Sequence, residues 1–324
     1  MTISSRMPRL AIGLAVATHG VAMADGSLAP EAVDQFSHTI GSRVEAVTIL
    51  GGDFGAAGGI YTFRSGSLAD LQITKFGGGG DVAAPMDLGI GDIKWSPVIQ
   101  GNLGRIRAAN DFETGYLQGN TSTYTVMAIQ FGGGARFYLT DHFSVAPTIT
   151  GIYGHTENEF LAKNTVGEVV KSLAKGTFVD WQIDTWTVAP AFEVRYEWTW
   201  RRTVFELSSR YTYFHTESFK TTSPLVSVTG GSQTWENRVD VDIPTRLTVL
   251  GHELHTGGFL SRTQLYGGIA EGLNDNHINT VNGRFVFDFK DKLWKVRWIG
   301  FGASYFFSGH FDGWSAGADV RFEF

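Results

Sequence analysis

Residues 235–249 read WENRVDVDIPTRLTV. Trp235, Val239, Val241, Ile243, Leu247 and Val249 fall on one face of an extended chain, and Glu236, Arg238, Asp240, Asp242 and Arg246 on the other. Side chains alternate across a strand, so this segment predicts a strand with one apolar side and one charged side. The pattern returns at 187–200, where Val188, Phe192, Val194, Tyr196, Trp198 and Trp200 oppose Glu193, Arg195 and Glu197. Phe205, Leu207, Tyr211 and Tyr213 likewise oppose Arg202, Glu206 and Arg210, and the alternation continues through 281–289, 295–307 and 314–324. These stretches are about ten to fifteen residues long. A strand in a globular protein is usually about five or six, whereas a tilted strand crossing an outer membrane needs about nine to eleven. Length therefore favours a membrane-spanning sheet over a soluble sandwich.

The remaining signals agree. After the first 24 residues no apolar run is long enough for a transmembrane helix, yet the chain carries 24 Phe, 10 Tyr, 9 Trp and 41 Gly. That combination suits an all-β fold, a transmembrane antiparallel up-and-down β-barrel whose hydrophobicity is hidden in alternation. About twelve strands are expected, at 57–64, 68–78, 90–108, 121–139, 143–156, 183–200, 202–217, 233–250, 256–270, 278–289, 295–307 and 312–324; the first two are Gly-rich, so ten or fourteen stay open. Links alternate between short ones, such as Arg201-Arg202, and long ones, such as 157–182 and 218–232. Short turns belong on the periplasmic side and long loops outside. Pro147, Pro190 and Pro244 fall inside expected strands, where each removes a ladder donor, and bulges are expected beside them.

The chain begins with Arg6, Arg9 and an apolar stretch, closing on Ala22-Met23-Ala24 before Asp25. This is the layout of a secretory signal peptide cleaved between Ala24 and Asp25, assigning residues 1–24 to a leader. Without Arg6 and Arg9, 24 basic residues face 32 acidic ones, a charge of −8. Nothing resembles the clustered basic footprint of a nucleic-acid partner. There is no cysteine, so neither disulfides nor thiolate metal sites arise. Residues 25–56 break the strand pattern. Val33, Phe36, Ile40, Val44 and Val47 recur three or four apart, predicting a helix from Pro30, with a strand proposed at 44–50. The segment packs either outside the barrel or in its lumen as a plug; residues 57–324 form the barrel.

With lipid outside, the charged face lines the lumen. Glu193, Arg195, Glu197, Glu206, Arg210, Arg238, Asp240, Asp242, Arg246, Arg262, Arg284, Asp319 and Arg321 are the expected lining charges, with Glu323 beside them. They form either a mutually paired network or a path biased toward anions. No catalytic, cofactor or metal motif is present: GHELH has its histidines three apart, and FGGGGD lacks the Lys-Ser/Thr of a phosphate loop. His155, His215, His277 and His310, with Glu157, Glu217, Asp275 and Asp312 nearby, fall at the expected outer rim.

The C-terminal ADVRFEF, with Val320, Phe322 and terminal Phe324 on one face, resembles the signature of bacterial outer-membrane barrels. That resemblance implies that these residues are read as an assembly signal by the barrel-assembly machinery, after Sec export. About twelve strands and an N-terminal helix make the chain similar to an autotransporter translocator barrel. With only 25–56 ahead of the barrel, it looks like a passenger-less, solitary form. The expectation is a monomeric, non-enzymatic pore or surface scaffold in outer-membrane lipid and lipopolysaccharide. A diffusion porin for small solutes and an outer-membrane hydrolase using rim histidines are the alternatives.

Overall fold

A computed structural model describes residues 30–52, 58–65, 71–112, 117–223, 225–249, 251–293 and 296–322. The leader expected at residues 1–24, with its Ala22, Ala24 and Asp25 junction, lies outside the described residues, as do Glu323 and Phe324. Helix α1 (Pro30–Gly52) precedes the strands β1 (Gly58–Ser65), β2 (Leu71–Asp81), β3 (Met86–Asp87), β4 (Lys94–Asp111), β5 (Thr121–Tyr138) and β6 (Phe143–Leu161). Helix α2 (Thr165–Ala174) leads to β7 (Gln182–Trp200), β8 (Thr203–Thr221), β9 (Thr229–Val249) and β10 (His252–Gly267). Helix α3 (Gly268–Leu273) precedes β11 (His277–Leu293), β12 (Val296–Phe307) and β13 (Phe311–Phe322).

Every long strand pairs antiparallel with its neighbour in sequence, and two further ladders close the ring. Ile60 of β1 pairs with Ala316 of β13, and Leu71 of β2 with Ala108 of β4. The result is a closed barrel of twelve long strands, with β3 a two-residue addition on β4. Closure matters because lipid offers the backbone no hydrogen-bond partner, so a spanning sheet must have no edge. Among the described residues no helix is long and apolar enough to cross a membrane. The strand backbone at Val320 and Phe322 pairs with Ile299 and Val296.

Parity sorts the two faces. Leu103, Ile129, Phe131, Ile149, Phe192, Leu260, Phe285 and Phe301 are exposed on the outer surface. Trp198 and Phe205 stack at 5.0 Å, and Arg201 lies 4.9 Å over the Trp200 ring, forming part of an aromatic girdle at the short-turn end. Ala128, Ile152, Thr187, Thr216 and Ser232 point inward and are buried.

The prolines are absorbed with less distortion than a bulge at each would bring. A register shift between Glu253 and His255 sits beside Pro244. Pro147 keeps its pairing with Phe192, and Pro190 with Ile149, and the register continues unshifted. The strand proposed at 44–50 is instead the last two turns of α1. Here Val44, Ala46, Val47, Ile49 and Leu50 are all buried. A helix enclosed on every side is apolar all round and loses the periodicity that distinguishes it from a strand.

Phe301 sits midway along β12 and is 53% exposed on the lipid face. Phe301→Arg is expected to lower barrel stability by about 2–4 kcal/mol, the range for a cation placed near the bilayer midplane. Urea titration of the refolded barrel in lipid vesicles measures it, with Tyr266→Arg, at an exposed outward position near the outer end of β10, as the reference for a tolerated charge.

Candidate functional site: a divided lumen

The upper lumen is filled by α1. Its first described side chains touch the outer loops: Ser37 Oγ donates to the Leu225 carbonyl, and His38 lies 3.7 Å from Glu271 of α3. Ser42 Oγ donates to the same Glu271 carboxylate at 3.2 Å. One turn further in, Ile40 and Val44 pack with Trp181, Ile183, Val226 and Val228. Val47, Ile49 and Leu50 then meet Ile106, Val126, Ile152, Phe214, Leu265, Ile278 and Phe306, which come from strands all round the ring. Five such side chains, at about 2 kcal/mol each, give on the order of 10 kcal/mol of gross hydrophobic stabilisation.

Polar contacts fix the helix azimuth. Ser232 Oγ donates to Glu45 Oε1 at 2.7 Å and accepts from the Ile269 N–H at 2.8 Å, tying α1, β9 and α3 together. Glycine permits the closest approach: a Cβ at Gly104 would stand 2.1 Å from the Gly51 carbonyl oxygen. The helix ends at Gly52, against Ile152 near the middle of β6.

Below the helix the lumen carries charge. Arg136 joins Asp81 at 3.1 Å and Glu193 at 3.0 Å; Arg195 joins Glu193 and Glu206, each at 3.1 Å. Asp240 receives Arg238 and Arg284, each at 2.6 Å, and Arg238 also stacks over Phe259 at 3.6 Å. Glu206 and Asp240 are register partners on β8 and β9, so the pairs form one continuous belt. A cavity of about 350 Å³ lies inside it. Arg136, Arg195, Arg210, Arg238 and Arg284 line it from β5 round to β11, and Gly300, Gly302 and Gly317 continue the lining on the adjoining β12 and β13, where Gly302 pairs with Arg284.

The structure thus brings together Glu193, Arg195, Glu206, Arg210, Arg238, Asp240 and Arg284. Asp242 shares their face lower down, where it holds His255 at 2.8 Å. Glu197 and Arg246 are exposed toward the short-turn end. The side chains of Asp319 and Arg321 lie outside the described residues. Arg262 is a correction: it is exposed on the outward face with Leu260 and Tyr266, while Ser261, Thr263 and Leu265 point inward. It lies near the outer end of β10, opposite Asn279, where an outward position need not be apolar. Asp81 and Arg136 were not anticipated, although parity along β2 and β5 places both inward.

The rim histidines separate into unrelated groups. On β6, His155 contacts Asp184 at 2.5 Å and Glu157 at 3.2 Å, and Tyr153 donates to Asp184 at 3.0 Å. On β8, His215 contacts Glu217 at 3.0 Å. These side chains have the outward parity of Tyr213 and Trp186 rather than facing the lumen. His277 and His310 instead flank Asp275, at 3.6 and 3.5 Å, on the side of the ring where α3 enters β11. Asp312 is exposed. Among the described residues no group of three or more His, Asp or Glu side chains is arranged to hold a metal ion.

Asp275 is a knot between two outer loops. Its carboxylate accepts from the Ser308 hydroxyl, the Asn276 N–H at 2.8 Å and the His310 N–H at 3.0 Å. Burial pushes its pKa up, but these bonds together pull it below the ordinary carboxylate value.

A closed twelve-stranded barrel with a helix in its lumen defines the class: an outer-membrane barrel of translocator type. The family model described as the solitary outer membrane autotransporter beta-barrel domain matches residues 83–316. The chain belongs to that family, and its place is the outer membrane. Among solved structures, the transport unit of the autotransporter AIDA-I from Escherichia coli is 10% identical. The match has a TM-score of 0.56 and covers 90% of this chain and 100% of that one. The beta domain of the Bordetella autotransporter BrkA is 13% identical with a TM-score of 0.52, over 82% of this chain and 100% of that one. At such identities the likeness is one of fold. A search of curated proteins found no match.

The lowered Asp275 pKa means that its stabilising contribution is present above the unfolded-state pKa of about 3.9 and is lost as pH falls through the lower folded value. Hydrogen exchange at 274–277 and 308–310, corrected for its intrinsic pH dependence, should stay slow at pH 5 and accelerate only below about 4. Asp275→Asn should show the fast rates at every pH.

Proposed function

We propose that this chain is a surface-directed translocator-type pore whose outer half is occupied by its own helix α1. The carrying observation is the cluster joining Val47, Ile49 and Leu50 to inward side chains from strands around the whole ring. The direction of α1 supports a scaffold role as well. Ser37 and His38 meet the outer loops while Gly51 reaches the middle of the barrel, so the N-terminal end of α1 points outward. Residues 1–24 serve as the export leader, cut between Ala24 and Asp25. The barrel-assembly machinery reads Val320, Phe322 and Phe324 on the final strand, and a single barrel is the working unit in lipid and lipopolysaccharide.

Planar-bilayer recording tests the plug. The chain from Asp25 onward should conduct poorly, and the same chain without residues 25–56 should conduct steadily. Gly104→Val should behave between the two, because its side chain displaces the Gly51 carbonyl. Equal, large conductance from all three would replace the plug with an open diffusion pore. Equal closure of all three would remove α1 as the barrier.

A further inference from the structure

The belt beneath α1 is unbalanced where it faces the cavity. The charged residues lining it are five arginines and one acid, Glu193. Three further acids that hold Arg136, Arg195, Arg238 and Arg284, namely Asp81, Glu206 and Asp240, are absent from the lining. Donors outnumber acceptors among these groups: four guanidinium groups carry about 20 N–H bonds, while Glu193 and the three other carboxylates offer roughly 16 acceptor sites. Arg195, Arg238 and Arg284 keep 28, 30 and 23% of their side-chain surface exposed, although each holds a carboxylate. The network is incompletely satisfied as well. Arg195 Nε, Arg284 Nε and Gln100 Nε2 are buried without a hydrogen-bond partner, and all three residues line this cavity. Buried polar groups are otherwise nearly always paired. Beyond Arg284 the lining continues with Gly300, Gly302 and Gly317, which send no side chain into the space. At about 350 Å³ the space falls within the range of small-molecule sites.

We propose that this lower chamber is a binding site for a compact oxyanion, a phosphate or a small hydroxylated carboxylate, seated against Arg195, Arg238 and Arg284. Guanidinium groups are suited to such ligands because their planar N–H edges match two oxygens at once. The neutral polar lining, Gln100, Thr148 and Ser304, can meet hydroxyl groups. The site lies below Gly52 and does not rest on α1 acting as a plug.

The test is a titration of the refolded chain from Asp25 onward in detergent with sodium phosphate and with sodium gluconate, each against sodium chloride at matched ionic strength. Melting temperature and calorimetric heat are both read. Saturable binding of phosphate or gluconate, absent with chloride, is expected, and the arm that saturates identifies the ligand's source. Arg238→Lys should weaken binding about tenfold, as loss of one charge-assisted hydrogen bond does. Thr148→Trp, which fills the chamber without altering charge, should abolish it. Arg262→Lys, on the outer face, should leave it unchanged. Heat-modifiable gel mobility establishes that each variant is folded, and the unsubstituted chain alone decides the first question. No saturation with either anion, or binding that survives Thr148→Trp in a folded barrel, overturns the proposal.

Discussion

The structure depends on one constraint: in the hydrocarbon layer a backbone N–H or C=O has only other backbone groups to bond. The ladder between β1 and β13 removes both edges that twelve strands in a row would otherwise leave, and the β2–β4 ladder carries the ring past β3. Once the ring closes, every strand has an inside and an outside. The period of two then dictates chemistry at each position. Leu260 and Phe301 lie in lipid because their parity is outward, and Asp240 and Arg284 must find one another because theirs is inward.

The same parity explains why α1 sits where it does. Inward positions in the outer half are small or apolar: Ala128, Ile106, Ile152, Phe214 and Ile278. A water-filled channel would not favour them. Inward positions in the other half are arginines, acids and glycines. A helix carrying Val44, Val47, Ile49 and Leu50 therefore has a wall to bury against in one half and a charged belt below it. Gly51 and Gly104 meet where the two environments change, since a side chain at Gly104 would not fit against the helix end.

Much of this was legible because alternation is a local signal. Each of the twelve expected strands overlaps one of the twelve long strands observed, and the helix from Pro30 followed from the spacing of Val33, Phe36 and Ile40. Two errors share a physical origin. At 44–50 the enclosing wall buries every helical face, so apolar residues fall on all sides of Glu45 and Thr48, which blurs the helical period and leaves the β-branched Val44, Val47, Thr48 and Ile49. At Arg262 the outward face has passed beyond the apolar band, so a charge there no longer marks the lumen. His155, Glu157, His215 and Glu217, also outward near the rim, follow the same rule. Charge reports the lumen only at hydrocarbon depth. The chamber was not legible at all, because it depends on which strands meet around the ring: Arg136, Arg195, Arg210, Arg238 and Arg284 come from β5, β7, β8, β9 and β11, and Gly300, Gly302 and Gly317 from the adjoining β12 and β13.

The direction of the ion pairs bears on why the belt persists. A ring of paired charges could fill the lower lumen if each guanidinium met a carboxylate from across the barrel. Here the pairs run along the wall instead. Arg195 reaches Glu193 on its own strand and Glu206 on the next, and Arg238 reaches Asp240 two residues away. Lateral pairing fixes the arginines to the wall and leaves the centre unfilled. A purely structural network gains nothing from that arrangement, because a buried ion pair is no more stable for facing a cavity and loses packing contacts on that side. An arrangement that holds cationic surface toward open space at a loss in packing is what a site for an anion requires.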